Sequence, residues 1–508
     1  MFKVTEGFAM ENADLSIAEL QACFDRGEQT AATVCEAFLK RIASIDRAGP
    51  ELRSVIEINP DALATATALD SERQSKGARG PLQGVPMLVK DSIDTADRMM
   101  TTAGSLALEG NIATQDAFVV QKLREAGVVL LGKSNMSEWG YMRSTRACSG
   151  WSSRGGQTRN PYVLDRSPLG SSSGSGVAVA ANLCLGAIGA EVDGSIVRPA
   201  SANGIVGLKP TVGLVSRCGV IGVAEPQDTV GPMARCVADI AALMNVISGT
   251  DPEDPATAAA DEKRPSDFCD ALQPDALRGA RLGVARECFS GHEGTNGVIE
   301  RAIATLRKVG AEIIDPIRAT SLPFFGPLER ELFQYGIKSN INAYLAAHPT
   351  AMIRDFDELI EFNRHHADQV MPYFKQEFFE MAQTKEGWDA ARCVEVRNEL
   401  RRLSRTDGID KALSEHQLDA IIAPTEGSPP FVIDPIVGDH IIPFGCSTPP
   451  AIAGYPHITV PSGFVHGLPV GLSFFGGAFQ DFKLIGYAFA FEQATHARQS
   501  PQFLPTIP

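Results

Sequence analysis

The chain is poor in the residue groupings that hold metals or bridge sulfurs. Its 508 residues include nine histidines and ten cysteines, and the cysteines stand singly at 23, 35, 148, 184, 218, 236, 269, 288, 393 and 446 without a C-x-x-C pair. That spacing excludes a zinc ribbon or a dithiol redox centre, and thiols so scattered read as small reduced hydrophobes of a cytoplasmic chain. No H-E-x-x-H occurs, and the adjacent His365 and His366 fall on different faces of a helix. The expectation is a protein that uses neither a metal nor an organic cofactor.

Positive charge is also scarce. Against 61 Asp and Glu stand 46 Lys and Arg, a net charge of −15, and neutralising phosphates needs clustered cations, so nucleic acid and anionic membranes are unsuitable partners. Long apolar runs are missing too. The opening MFKVTEGFAMENADLS scatters charges where an export signal needs an apolar stretch, and the weakly polar run Val177 to Ala190 is interrupted by Asn182 and too short for a bilayer. What remains is a soluble cytoplasmic protein, monomer or homodimer, that works on a small molecule and is long enough to bury a large core.

What the chain does have is concentrated between Gly170 and Pro210, a span with six serines, eight glycines and four charged residues. Two serine-bearing turns, Gly170-Ser171-Ser172-Ser173-Gly174-Ser175 and Asp193-Gly194-Ser195, flank a small-residue run that suits a buried helix and strand. Glycine admits positive φ and close approach, so Gly194 beside Ser195 can leave backbone N–H groups aimed into a cavity. A serine beside such donors is suited to acyl transfer. A phosphate-binding reading fails, because the Lys-Ser/Thr ending of a P-loop is absent and Val179 stands where the dinucleotide fingerprint needs Gly or Ala. Gly170 to Gly174 also fits G-x-S-x-G, which would make Ser172 the nucleophile of an α/β-hydrolase-type esterase with a histidine base.

The order Gly170-Ser171-Ser172, then Asp193-Gly194-Ser195-Ile196, then Gly207-Leu208-Lys209-Pro210-Thr211 resembles the amidase signature family. The resemblance extends upstream to Gly84-Val85-Pro86-Met87-Leu88-Val89-Lys90-Asp91 and downstream to Ala453-Gly454-Tyr455-Pro456 and Gly467 to Leu472. It implies an α/β amidase-signature fold, a mixed central sheet covered by helices on both faces. It further implies a Ser-Ser-Lys set: Lys90 as base, Ser171 as bridging serine in a cis peptide, Ser195 as nucleophile, and an oxyanion hole of N–H groups from Val192, Asp193, Gly194 and Ser195. Asp193, where the family usually has glycine, and the third serine of the first loop are similar to bacterial peptide amidases. Ser172, Arg198 and Thr425 are candidates for substrate contact, Arg198 having a salt-bridged structural role as the alternative.

Along the chain, Ser16 to Glu19 has the capping-box form of a first helix that Gly27 stops. A second helix follows at about Thr33 to Ile45, a strand at Ser54 to Ile58, and a third helix that runs to Lys76. Met87 to Val89 reads as a short buried strand delivering Lys90 at its end, where function in α/β sheets gathers. Asp116 to Ala126 reads as a helix, Val128 to Leu131 as a strand, Ser134 to Trp139 as a short helix and Val237 to Ile247 as another helix. Residues 1–265 then form the helical lead-in and the α/β core. Residues 266–416, where charge rises and glycine thins, form a mostly helical subdomain covering the substrate, with helical patterns at Pro327 to Leu345, Arg354 to Met371 and Trp388 to Ser404. Residues 417–508 return to the core through a strand at Asp419 to Pro424 and an active-site loop from Thr425 to Pro449.

The implied activity is amide C–N hydrolysis, of a peptide amide or aryl amide. Alternatives are carbamate cleavage with the same triad, the Ser172 esterase, and a non-catalytic or amidotransferase subunit.

Overall fold

The computed structural model describes residues 14–319, 322–439 and 445–507. Most of the opening stretch MFKVTEGFAMENADLS, and residues 440–444 of the long loop, lie outside them.

The lead-in forms as its caps dictate. Helix α1 (Ile17–Asp25) starts at a complete capping box, in which Ser16 Oγ accepts the Glu19 N–H and the Glu19 carboxylate accepts the Ser16 N–H. Helices α2 (Ala31–Arg41) and α3 (Ala62–Lys76) flank strand β1 (Val55–Ile58). Strand β2 (Pro86–Lys90) is buried along its whole length, as a continuous apolar run in a central strand should be. Helix α4 (Phe118–Glu125) leads to β3 (Val129–Ser134), and a small hairpin, β4 (Trp151–Ser152) with β5 (Gly156–Gln157), precedes the serine loop. Helix α5 (Ser173–Ala180), β6 (Gly186–Glu191), α6 (Val197–Ala202), β7 (Val206–Lys209), β8 (Thr229–Ala234), α7 (Val237–Ile247) and α8 (Ala260–Lys263) follow.

The chain then adds β9 (Arg281–Ala285), α9 (Glu293–Lys308) and β10 (Glu312–Ile317), a strand–helix–strand unit whose strands pair in parallel. After the helices α10 (Leu322–Ala347), α11 (Phe356–His365), α12 (Ala367–Val370), α13 (Glu377–Gln383), α14 (Ala391–Arg401) and α15 (Asp410–Glu415) come β11 (Ala420–Pro424), α16 (Thr448–Ala453), β12 (His457–Val465), β13 (Leu468–Phe475) and α17 (Asp481–Thr495). Among the described residues, eleven strands form one mixed sheet in the order β1-β3-β2-β6-β8-β7-β12-β13-β11-β9-β10, flanked by helices as the resemblance implies.

Two expectations need correction. The unit β9–α9–β10 belongs to the sheet, so the helical segment begins at α10 and not at residue 266. The sequence hides β10 because it is an edge strand: Glu312, Asp315 and Pro316 are exposed, with no alternating apolar pattern to read. Nor do residues 134–139 form a helix. A single 3-10 turn at Glu138–Tyr141 replaces it, with Trp139, Gly140 and Tyr141 all at positive φ (53°, 66° and 82°). Among the described residues no helix is long and apolar enough to cross a membrane.

The largest core lies between the sheet and its helices. A second core joins α10, α11, α13 and α14 to Ala103, Trp139 and Val192, side chains of the loops at one edge of the sheet. The helical segment is thereby packed directly onto the serine-bearing turns.

The first of those turns is clamped by backbone. Gly174 N–H donates to Asn135 O at 2.9 Å, and Asn135 N–H donates to Ser54 O at 2.7 Å. A Cβ on Gly174 would lie 2.3 Å from Ser54 O and 2.5 Å from both Asn135 N and O. Gly174→Ala is therefore expected to cost about 1–3 kcal/mol and to lower the denaturation midpoint measurably; an unchanged midpoint would show that the clamp yields freely.

Candidate active site

Strands β2 and β6 run in parallel side by side, pairing Met87 with Gly186 and Val89 with Ile188, so their C-terminal ends emerge on the same edge of the sheet. Lys90 closes β2 and is 2 % exposed. Its Nζ donates to Ser171 Oγ at 2.7 Å and to Ala190 O at 2.8 Å. Ser171 follows a cis peptide bond from Gly170. The second turn is tied to the first by a hydrogen bond from Ser172 N–H to Ser195 O at 3.0 Å, and Ser195 is 6 % exposed.

The turn that carries Ser195 is built for access to its backbone. Gly194 has φ +72°, and a Cβ there would fall 2.3 Å from Arg198 Cδ, so only glycine fits. The buried carboxylate of Glu191 accepts the N–H groups of Ile196 (2.6 Å) and Val197 (3.1 Å), fixing the entry into α6. Among the described residues, the N–H groups of Asp193, Gly194 and Ser195 donate to no protein acceptor. Val192 sits beneath them, its carbonyl accepting from Gln227 Nε2 at 3.3 Å.

Two chambers meet at this turn. One, of about 520 Å³, is lined by Lys90, Ser92, Asp228, Asn340 and Tyr344; the other, of about 340 Å³, by Tyr141, Asp193, Arg198, Glu329 and several phenylalanines. Gly140, Ser171, Val192 and Ser195 line both, so the serine pair stands at the junction.

Burial controls the charges. The Lys90 ammonium is pushed down to about 7, because loss of water outweighs the carboxylates of Glu191 and Asp228, which act in the opposite direction. Asp228 is itself pushed up to about 6 by burial, although the Val223 N–H donates to it at 2.9 Å. Lys90 is thus an amine that is neutral for a substantial fraction of the time near neutrality.

The three candidates for substrate contact fare differently. Ser172 Oγ is buried and engaged with the backbone of Ala190, donating to its carbonyl at 3.1 Å and accepting its N–H at 3.3 Å. It lines neither chamber, and no histidine among the described residues bonds to it. That arrangement is wrong for a nucleophile with a histidine base. Thr425 is fully buried between Thr459 (2.6 Å) and Ser473 (2.8 Å), away from both chambers. Arg198 does line the second chamber, but its Nε donates to Glu426 at 2.5 Å and its Nη2 to the same carboxylate at 3.3 Å, the salt-bridged alternative. Sequence reasoning misses Asp228, Gln227, Glu329, Thr448 and the left-handed run Trp139 to Tyr141. Only the polar pair Gln227-Asp228 before the buried strand β8 leaves a trace of itself in the sequence. No group of three or more His, Cys, Asp or Glu among the described residues is placed to hold a metal.

The Amidase family model matches residues 33–485. A probable amidase of Arabidopsis thaliana is 38 % identical, with 99 % of this chain and 94 % of that one aligned. The glutamyl-tRNA(Gln) amidotransferase subunit of Thermoanaerobacter pseudethanolicus is 34 % identical over 97 % and 99 % of the two chains. Among solved structures, the native peptide amidase of Stenotrophomonas maltophilia is 47 % identical, superposes with a TM-score of 0.91 and is covered to 99 %, against 97 % of this chain. Fold and similarity define a hydrolase acting on amides. The chain belongs to the amidase family.

The Lys90 shift sets a pH test: with Lys90 acting as base, its deprotonated form would be the active one, so amide hydrolysis should rise with pH through about 7 and level off above it. A maximum near about pH 5 with decline above roughly 6 would assign the base to a carboxylate.

Proposed function

We propose that the protein hydrolyses the C–N bond of an amide through Ser195, Ser171 and Lys90, and that its substrates are C-terminally amidated peptides or bulky aryl amides. The observation that carries the reading is the buried amine of Lys90 at 2.7 Å from Ser171 Oγ, with Ser171 and Ser195 on the wall of one cavity. A serine hydroxyl is a weak nucleophile until a base takes its proton. Neutral Lys90 accepts the proton of Ser171, which accepts that of Ser195 as Ser195 Oγ attacks the carbonyl carbon. The oxyanion forms against the N–H groups of Val192 to Ser195, worth a few kcal/mol in such sites. As the tetrahedral adduct collapses, the proton returns by the same route to the leaving nitrogen, and the amine departs. Water then attacks the acyl group on Ser195, giving its proton to the same pair and releasing the acid.

The substrate assignment is supported by the similarity to peptide amidases and by the apolar wall of the second chamber, where Phe325, Phe333 and Phe378 from the helical segment line the same space as the serine pair. On this reading the helices α10 to α15 serve as a cover for the substrate. Carbamates share the carbonyl geometry and are the rival within this mechanism.

One observation favours a second reading. The similarity to the glutamyl-tRNA(Gln) amidotransferase subunit fits a chain that releases ammonia from glutamine for a partner, and turnover of free glutamine faster than of any peptide amide would support it.

Ser195→Ala and Lys90→Ala are each expected to lower kcat/KM for a peptide amide by about 10²–10⁴-fold or more, and Ser171→Ala also to lose most activity, all three folding as wild type by circular dichroism. Near-wild-type turnover by Lys90→Ala would exclude the mechanism. A peptide amide and an aryl urethane compared at equal concentration rank the substrates, and clear preference for the urethane reverses the order of amide over carbamate.

A further inference from the structure

The two chambers that meet at the serine pair differ in their charge. In the first, among the described residues, every positive group on the wall is already engaged. Lys90 donates to Ser171 and Ala190, Arg217 grips the Asp254 carboxylate through Nε (2.9 Å) and Nη2 (2.6 Å), and His348 Nε2 lies 3.0 Å from the Asp94 carboxylate. The remaining charge on this wall is negative, from Asp228 and from the exposed Glu225 and Glu253.

Asp228 stands next to the turn that carries Ser195. Strands β6 and β8 pair Glu191 with Thr229, so Asp228, one residue outside β8, comes level with Val192 at one strand spacing, about 4.8 Å. Its neighbour Gln227 ties the two segments together, donating from Nε2 to Val192 O at 3.3 Å. The Asp228 side chain is only partly buried and lines the chamber. The Val223 N–H donates to its Oδ2 at 2.9 Å, and the Ala224 N–H also favours the charged form. An ionised carboxylate has about four acceptor sites, so two backbone donors leave room for a ligand. Asn340, brought in by α10, faces the same spot: a Cβ on Gly222 would lie 2.5 Å from Asp228 Oδ2 and 3.5 Å from Asn340 Nδ2. The Asn340 side-chain amide is likewise part-exposed in the chamber and bonds to no other described residue.

A residue that ends in a carboxamide branches at its α-carbon into a side chain and an amino group. Two chambers at one serine pair give each branch a place. The second, walled by Phe325, Phe333 and Phe378, suits an apolar branch; in the first, a carboxylate and an amide oxygen are free to accept hydrogen bonds, and no free cation competes for them. Resting on the amide-hydrolase reading above, we propose that the first chamber is the subsite for a cationic branch of the substrate, an ammonium or guanidinium held by Asp228 and Asn340, and that the protein therefore selects amides carrying such a cation over neutral amides of the same size. Asp228 and Asn340 are then specificity-determining residues, one supplied by the sheet and the other by the helical segment.

The test uses the full chain and two matched pairs at about pH 7. Phenylalaninamide against N-acetylphenylalaninamide places the cation on the α-amino group, and N-acetyllysinamide against N-acetylnorleucinamide places it on the side chain. In at least one pair the cationic member is expected to have the higher kcat/KM by about 10-fold or more, mainly through a lower KM. Asp228→Asn, which can still accept the Val223 N–H, should lower that cation-to-neutral ratio by about 10–100-fold, and Asn340→Ala by about 2–10-fold. The ratio is the readout because losing the Asp228 charge also alters the field at Lys90, which acts on both members of a pair. Raising the pH to about 9 discharges an α-ammonium but not a lysine side chain, so a preference lost there assigns the α-amino group and one retained assigns the side chain. Neutral members turned over as well or better in both pairs would overturn the proposal, as would a ratio in Asp228→Asn within about twofold of wild type. Should Asp228→Asn fail to fold, Asn340→Ala decides, because it lies on a different element. If wild type hydrolyses none of the four amides, the hydrolase reading itself fails and this one with it; an unchanged ratio in an active enzyme sinks only the cation subsite.

Discussion

The site depends on removing one ammonium group from water. A lysine at the surface keeps its proton across the physiological range, whereas burying the charged form disfavours it. At Lys90 burial prevails over two nearby carboxylates and brings the group down to about 7. The sheet makes this burial unavoidable, because β2 is a central strand with β3 on one side and β6 on the other. Its last residue ends in a wall formed by Ala190 and the serine loop, and both hydrogen bonds of Nζ go to that wall. The two carboxylates keep the shift from going further: Glu191 and Asp228 leave an amine that titrates close to neutrality rather than one unable to be protonated at all.

The same edge of the sheet shows why small residues crowd between 170 and 210. Lys90, the serine loop and the Ser195 turn come from three separate stretches of chain and must approach to hydrogen-bond distance. Gly174 lies against the backbone of Ser54 and Asn135, and Gly194 against the side chain of Arg198; each contact excludes a Cβ. The second core then seals the arrangement from above, since Val192 and Trp139 are packed among the aromatic and aliphatic side chains of α10, α11, α13 and α14. The serine-bearing turns and the helices packed on them are thus a single packed unit, and Asp193 and Glu329 line one chamber within it.

Much of this is legible in the residues themselves. Capping boxes, glycine stops and the apolar run that β2 carries up to Lys90 are local signals, and the elements they announce are present, as Ser16, Gly27 and Lys90 illustrate. The motif residues Lys90, Ser171 and Ser195 are recognisable from their order, and the structure brings Lys90 against Ser171 and places both serines on one cavity. What is not legible is long-range. Strand β10 is exposed, so its pairing with β9 leaves no periodicity, and sequence alone therefore starts the helical segment too early. Ser172 and Thr425 carry hydroxyls suited to substrate contact, yet packing turns them towards Ala190 and towards Thr459 and Ser473. Asp228 and Glu329 are ordinary acids in sequence, and only tertiary structure places one beside Lys90 and the other beside Asp193.

The central claim, that Ser195 carries the acyl group, is tested most directly by trapping it. Acid-quenching the enzyme during turnover of an aryl amide or aryl ester, followed by intact-mass measurement and peptide mapping, should find at most one added acyl group per chain, located on the peptide that contains Ser195 and absent from Ser195→Ala. An acyl group mapped to Ser172, or steady turnover with no covalent adduct under conditions where deacylation is rate-limiting, would contradict the account.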